Sequence, residues 1–212
     1  DNDWVERDLR RHLEDEFGEE GNIRYFAVLK RLREKLGYVD YLGALQQFRL
    51  EKHCDQLFLS MSSFLTDYPF ADRLYPAALD VLKRVQEWGP VVILSDGDAV
   101  LQPRKIQRSG LWNAVEGRVL IYVHKEVMLD EVERAYPARH YVTTDDKPHI
   151  LAAMKKAWGG RLTTVFARQG HYALDPANVE QYPWPQITVE KISDLLSYGL
   201  DAYLRRAEES DG

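Results

Sequence analysis

Cysteine is nearly missing from this sequence. The one residue present, Cys54, cannot close an internal disulfide, and a reducing cytoplasm is the expected setting. Long apolar runs are lacking too: no stretch approaches the roughly 18 consecutive apolar residues of a membrane span. The opening DNDWVERDLRR is charged and has no apolar core, so nothing present reads as a signal peptide. Basic charge is in deficit, with 28 Lys and Arg against 34 Asp and Glu, a net charge of -6 and a pI near 5.6. That balance argues against non-specific binding to nucleic acid or to an anionic membrane, both of which need a basic face. Small molecules are the expected partners. No internal repeat and no low-complexity tract is visible, and the acidic EDEFGEE at 14–20 reads as a solvated helix end.

What remains is an ordinary globular composition. The 212 residues, 45% hydrophobic and 11% aromatic, suffice for one domain of good size or a domain carrying a smaller insert. Residues 4–66 read as successive helices, because apolar side chains recur at steps of three and four: Val5, Leu9, Leu13 and Phe17, then Phe26, Leu29, Leu32 and Leu36. Gly18 and Gly21 are expected to punctuate the first pair, and Asp40 to cap a third helix. Tyr38, Tyr41, Phe48, Phe64, Tyr68 and Phe70 are expected mostly in the core of this helical unit.

From about residue 76 the texture changes to alternating strand and helix. A helix is expected to begin with Pro76 at its first position, to present Leu79, Leu82 and Val85, and to stop at Gly89. Strands are expected at PVVILS, at 118–123, 140–144 and 162–167, with helices over 98–109, 125–136 and 148–158 between them. A last amphipathic helix over 188–205, on Ile192, Leu195, Leu196 and Tyr203, is expected to pack on the sheet or on a second copy, which leaves a homodimer open. Short apolar runs separated by amphipathic helices imply an α/β fold: a Rossmannoid parallel sheet with helices on both faces, plus the all-helical unit.

In such sheets ligands sit beyond the carboxyl ends of the strands. The strand ends supply Ser95, Asp96, Gly97 and Asp98; His124 and Lys125; Asp145 and Asp146; and Arg168, Gln169 and His171. Singly, these are ordinary residues: a turn serine, a solvated lysine, an acidic pair of a kind that chance supplies. Together at successive strand ends they resemble an anion and divalent-metal site. A serine and following N–H groups can hold phosphate oxygens, a lysine neutralises them, and Mg²⁺ takes one or two carboxylates plus phosphate and water. Asp98 reads as a helix cap, Arg104 and Lys105 as solvated residues or substrate contacts, and Arg168 and His171 as part of an exposed loop that could instead line the rim.

The run LYPAALDVLKRVQEWGPVVILSDGD resembles the helix, strand and second motif of the haloacid dehalogenase-like (HAD) hydrolase superfamily. VHKEVMLDEV and YVTTDDKPHILAAMKKAWG resemble its lysine segment and its acidic fourth motif. The resemblance implies a helical cap over 1–74 and an α/β core over 75–212. It implies in-line phosphoryl transfer, in which one aspartate attacks phosphorus and a second protonates the leaving group and then activates water. Carried over, Ser95 and Lys125 are the catalytic candidates, Ser95, Asp96, Gly97 and Lys125 bind the phosphoryl group, and Asp145 and Asp146 hold Mg²⁺. The implied activity is a Mg²⁺-dependent phosphatase of a small phosphorylated metabolite. The alternatives are a haloacid dehalogenase-type hydrolase, whose members typically carry Ser and Asn where this chain has Asp145 and Asp146, and a non-catalytic HAD-fold binding protein. The superfamily's first motif, a strand ending Asp-x-Asp, is not among the 212 residues: Asp1 and Asp3 copy its spacing, but helix follows them directly. The expectation is an upstream strand that carries the nucleophile and lies between the strand ending at Ser95 and the one ending at Asp145.

Overall fold

The computed structural model describes residues 2–51, 55–179 and 181–208, so Cys54 and Asp1 lie outside the described residues. The chain divides into two compact units, Asp1–Leu74 with Val92–Lys125, and Tyr75–Val91 with Glu126–Gly212.

The first unit is built on three helices: α1 (Asn2–Leu36), α2 (Tyr41–Arg49) and α3 (Asp55–Asp67). Its apolar periodicity buries Val5, Leu9 and Leu13 on one stretch of α1 and Tyr25, Val28, Leu29 and Leu32 on the next. Between them Gly18 adopts φ 71° and ψ 177°, a conformation open to glycine, and the helix kinks there. Gly21, expected as a second breaker, is helical and buried: a Cβ on it would meet Phe17 Cβ at 2.4 Å, so what looked like punctuation is close packing. Phe17, Phe48 and Phe58 meet one another with ring centroids 5.2–5.7 Å apart, edge-on or tilted as aromatic quadrupoles prefer. Phe48, Tyr68 and Phe70 are buried in this core, with Tyr41 and Phe64 packed against it. Asp40 caps α2 as expected, its Oδ1 accepting from Gly43 N at 2.7 Å.

The same unit holds strands β1 (Ile93–Asp96) and β2 (Val119–Tyr122), which run parallel with Ser95 opposite Ile121. Helices α5 (Leu101–Arg108) and α6 (Leu111–Ala114), which follow α4 (Ala78–Val85) in chain order, connect them. Helix α5 is tied to the C-terminal end of α3, where carbonyls have no intrahelical donor. Arg104 donates to Thr66 O at 3.2 Å, Arg108 donates to Asp67 O at 2.7 Å, and Lys105 bonds Asn2. Arg104 and Lys105 thus bind the helical segment.

The second unit contains α4 (Ala78–Val85), α7 (Leu129–Ala135), β3 (Tyr141–Asp145), α8 (Pro148–Trp158), β4 (Leu162–Ala167), α9 (His171–Leu174), α10 (Pro176–Val179), β5 (Ile187–Val189) and α11 (Leu200–Glu208). Strands β3, β4 and β5 form a parallel sheet in that order. Central β4 is buried at every residue, and its two threonine hydroxyls are satisfied: Thr163 donates to Tyr203 O at 2.7 Å, while Thr164 Oγ1 accepts from Gln186 N at 3.1 Å. Val81, Val165, Ala167, Ile187, Val189, Leu195 and Tyr203 form one core cluster.

Several expected elements are redrawn here. Pro76 precedes α4 by two residues, in a turn closed by Ala78 N donating to Tyr75 O. The helix buries Val81 and leaves Leu79 43% exposed. The span 188–205 is no single helix but the end of β5, a 3₁₀ turn at Ile192–Ser197 and the start of α11. Within it Leu195 and Tyr203 are buried while Leu196 is 41% exposed. Among the described residues the strands form a pair, β1 with β2, in the first unit and a sheet of three, β3, β4 and β5, in the second.

Candidate active site

Parallel pairing aligns the carboxyl ends of β1 and β2, and this brings part of the sequence shortlist together in the first unit. Ser95 is the third residue of β1. Its Oγ accepts from Gln102 Nε2 at 2.7 Å and donates to Asp96 O at 3.2 Å. Asp96 ends the strand, and its Oδ1 accepts the main-chain N–H of Lys125 at 2.7 Å. Lys125 opens a 3₁₀ turn three residues beyond β2 and is only 9% exposed, with Nζ 3.5 Å from Leu94 O. A lysine so buried is not an ordinary solvated side chain. Gly97 donates to Tyr122 O at 3.0 Å, and a Cβ on it would lie 2.8 Å from Gln102 Cβ. The absence of that side chain lets the start of α5 approach the strand end. Asp98 is a cap, accepting from Val100 N at 2.8 Å and Leu101 N at 2.6 Å.

In the second unit, Asp145 is the last residue of β3 and Asp146 the first beyond it, both half-buried. Asp145 Oδ1 accepts from Lys147 N at 2.9 Å, a local turn that leads into α8 with Pro148 at its first position. Beside them runs the loop after β4. Gly170 in this loop has φ 93°, and a Cβ there would sit 3.6 Å from Asp146 Oδ2 and 2.9 Å from the Tyr75 hydroxyl. Arg168 turns to Glu190 at 3.0 Å, and His171 is exposed with its ring against Tyr172. Lys147 Nζ lies 4.5 Å from the centre of the Tyr172 ring.

Adjacent carboxylates suit a hard divalent cation, since Mg²⁺ needs only one or two of them and takes its other oxygens from phosphate and water. Gly170 presents no side chain to Asp146, and the Tyr75 hydroxyl stands against the same point. The donor chemistry of the pair of carboxylates therefore fits such an ion. No group of three or more His, Cys, Asp or Glu side chains able to hold a metal occurs among the described residues. Asp3 lies exposed at the start of α1. Two participants escaped the sequence reading. Gln102 is the second residue of α5, seven residues from its partner Ser95, and Tyr75 sits before α4; neither type at either spacing announces a site. No helix among the described residues is long and apolar enough to cross a membrane.

No family model and no curated protein matches the chain. A solved structure does: a candidate haloacid dehalogenase-like hydrolase from Burkholderia xenovorans LB400 is 61% identical, with a TM-score of 0.89 over 94% of this chain and 93% of that one. At that identity and coverage the likeness extends beyond fold to the family. The chain belongs to the haloacid dehalogenase-like hydrolase superfamily.

Proposed function

We propose that this hydrolase is a Mg²⁺-dependent phosphatase of a small phosphorylated metabolite, working through an aspartyl-phosphate. The observation that carries the reading is the buried Lys125, whose main chain is bonded to Asp96 at the strand end where Ser95 also lies. A cation held in a dry setting at the strand end that carries a hydroxyl suits an anionic oxygen. Ser95 would donate to one phosphoryl oxygen and Lys125 would neutralise charge on the phosphoryl group, whereas the Gly97 N–H expected to assist them is spent on Tyr122 O. Asp145 and Asp146 would hold Mg²⁺, which when bound supplies charge neutralisation at the phosphate. The helical segment 1–74 would act as the cap that selects the substrate. No aspartate among the described residues is assigned the attacking role.

The test is hydrolysis of a panel of phosphorylated metabolites by the natural full-length protein, with and without Mg²⁺. Turnover that needs Mg²⁺, is abolished by Asp146→Asn and falls about 10²- to 10³-fold in Lys125→Ala supports the reading. Metal-independent halide release from 2-haloacids, or unchanged phosphatase rates in Asp146→Asn, overturns it.

A further inference from the structure

We infer that Tyr75 is a positioning residue for the Asp146 carboxylate, with the bare backbone at Gly170 keeping its hydroxyl in place. The inference rests on the phosphatase reading, in which Asp146 helps to hold Mg²⁺. It deepens that reading by naming a group outside the motif residues.

The geometry begins with parallel pairing of β3 and β4, which sets the loop after β4 alongside the end of β3. Gly170 stands in that loop at φ 93°, a backbone conformation that L side chains rarely adopt. The point where its Cβ would be is 2.9 Å from the Tyr75 hydroxyl oxygen and 3.6 Å from Asp146 Oδ2. The two oxygens thus face one point, within 3.6 Å of it, on the same side of the loop. The loop does not reach this position by chance. The Gln169 side chain accepts from Ile192 N at 2.8 Å, Gln169 N donates to Ala167 O at 2.8 Å, and Arg168 N donates to Val189 O at 2.8 Å, so both residues before Gly170 are anchored.

A phenol here has a defined task. Carboxylates that ligate cations are themselves oriented by hydrogen-bond donors, and those donors tune affinity. Asp145 has Oδ1 turned to Lys147 N, so it is oriented by its own turn. Asp146 follows the strand, and the Tyr75 hydroxyl stands against the same point beside Gly170 as its Oδ2. Any side chain at 170 would push that hydroxyl aside, because the tip of a tyrosine is what such a Cβ would strike.

The experiment is calorimetric titration of Mg²⁺ into the natural full-length protein without substrate, for the unaltered protein, Tyr75→Phe, Gly170→Ala and the double variant. Tyr75→Phe should weaken Mg²⁺ binding about tenfold, with metal-free melting unchanged and the Mg²⁺-induced rise in melting temperature reduced. Gly170→Ala should weaken binding comparably. If the glycine acts by protecting the hydroxyl, adding Gly170→Ala to Tyr75→Phe should cost little more affinity, a failure of additivity that general loosening of the loop would not give. Mg²⁺ affinity unchanged by Tyr75→Phe, or fully additive losses, overturns the inference while leaving the phosphatase reading in place. Absence of Mg²⁺ binding by the unaltered protein sinks both.

Discussion

The main-chain N–H of Lys125 donates to Oδ1 of Asp96 across 2.7 Å, tying the segment after β2 to the end of β1. The bond fixes where a nearly buried lysine leaves the backbone. Asp96→Ala should strand that N–H and cost about 1–3 kcal/mol of stability, whereas Asp96→Asn keeps an acceptor oxygen and should cost less. Urea denaturation of the three proteins checks the order. Equal stabilities would mean that the Lys125 turn holds itself.

Within the first unit, the Tyr68 hydroxyl donates to Asp8 Oδ2 at 2.5 Å while Arg73 donates to both at 2.7 and 2.9 Å. The Tyr68 hydrogen bond, then Arg73, hold the Asp8 carboxyl below the usual carboxylate range against the opposing cost of burial. A depressed carboxylate stabilises the fold above its unfolded pKa, near 3.9, and that contribution is lost as pH falls through the lower folded value. Tyr68→Phe should therefore destabilise by about 1.5–3 kcal/mol at pH 7 and by much less near pH 2. Denaturation at both pH values reads the difference; a penalty independent of pH would assign it to packing alone.

His140 carries a second pH dependence. Thr163 Oγ1 spends its one proton on Tyr203 O, so at 2.9 Å it must accept from His140 Nε2–H. Burial, and then the charge of Lys155, lower the His140 pKa. For a histidine so shifted, stability is full above the unfolded value near 6.5 and falls as pH drops through the folded one, because the unfolded chain takes the proton first. The melting temperature should decline between pH 7 and 5, and His140→Gln, which keeps a donor but does not titrate, should flatten that decline. An identical slope in the variant would move the effect to other groups.

These side-chain partnerships were not legible in the sequence, although much of the framework was. Helix α8 begins and ends where expected because Pro148 and Gly159 mark its limits chemically, and β4 matches because a β-branched and apolar run of that length suits a strand buried on both faces. Strand β5 was missed: it is three residues long and follows Pro185, too short for any period to register. The face of α4 was read in part: Val85 packs against the core cluster, but the buried stripe centres on Val81 and leaves Leu79 out, a choice between two helical patterns that only packing makes. Ser95, Lys125 and Asp145–Asp146 were visible because strand ends can be counted. The hydrogen bonds of Gln102 and the approach of Tyr75 to Asp146 depend on where loops travel, which residue spacing does not encode.

Gln102 offers the most direct test of how Ser95 is held. Its amide donates to Ser95 Oγ at 2.7 Å, which leaves the serine proton to point elsewhere, now toward Asp96 O at 3.2 Å and, in the proposed reaction, toward a phosphoryl oxygen. Gln102→Leu keeps the packing of α5 but frees the hydroxyl to rotate. It should weaken substrate binding by about 1 kcal/mol, a KM roughly fivefold higher, with kcat much less affected because no group touching the phosphoryl is removed. Gly97→Ala should do the same and also destabilise, because its new Cβ would lie 2.8 Å from Gln102 Cβ, an atom fixed to the helix and unable to swing away. Steady-state kinetics on the phosphatase substrate decide the matter. An unchanged KM in Gln102→Leu would make that amide a packing group and leave Ser95 to be oriented by the Asp96 carbonyl alone.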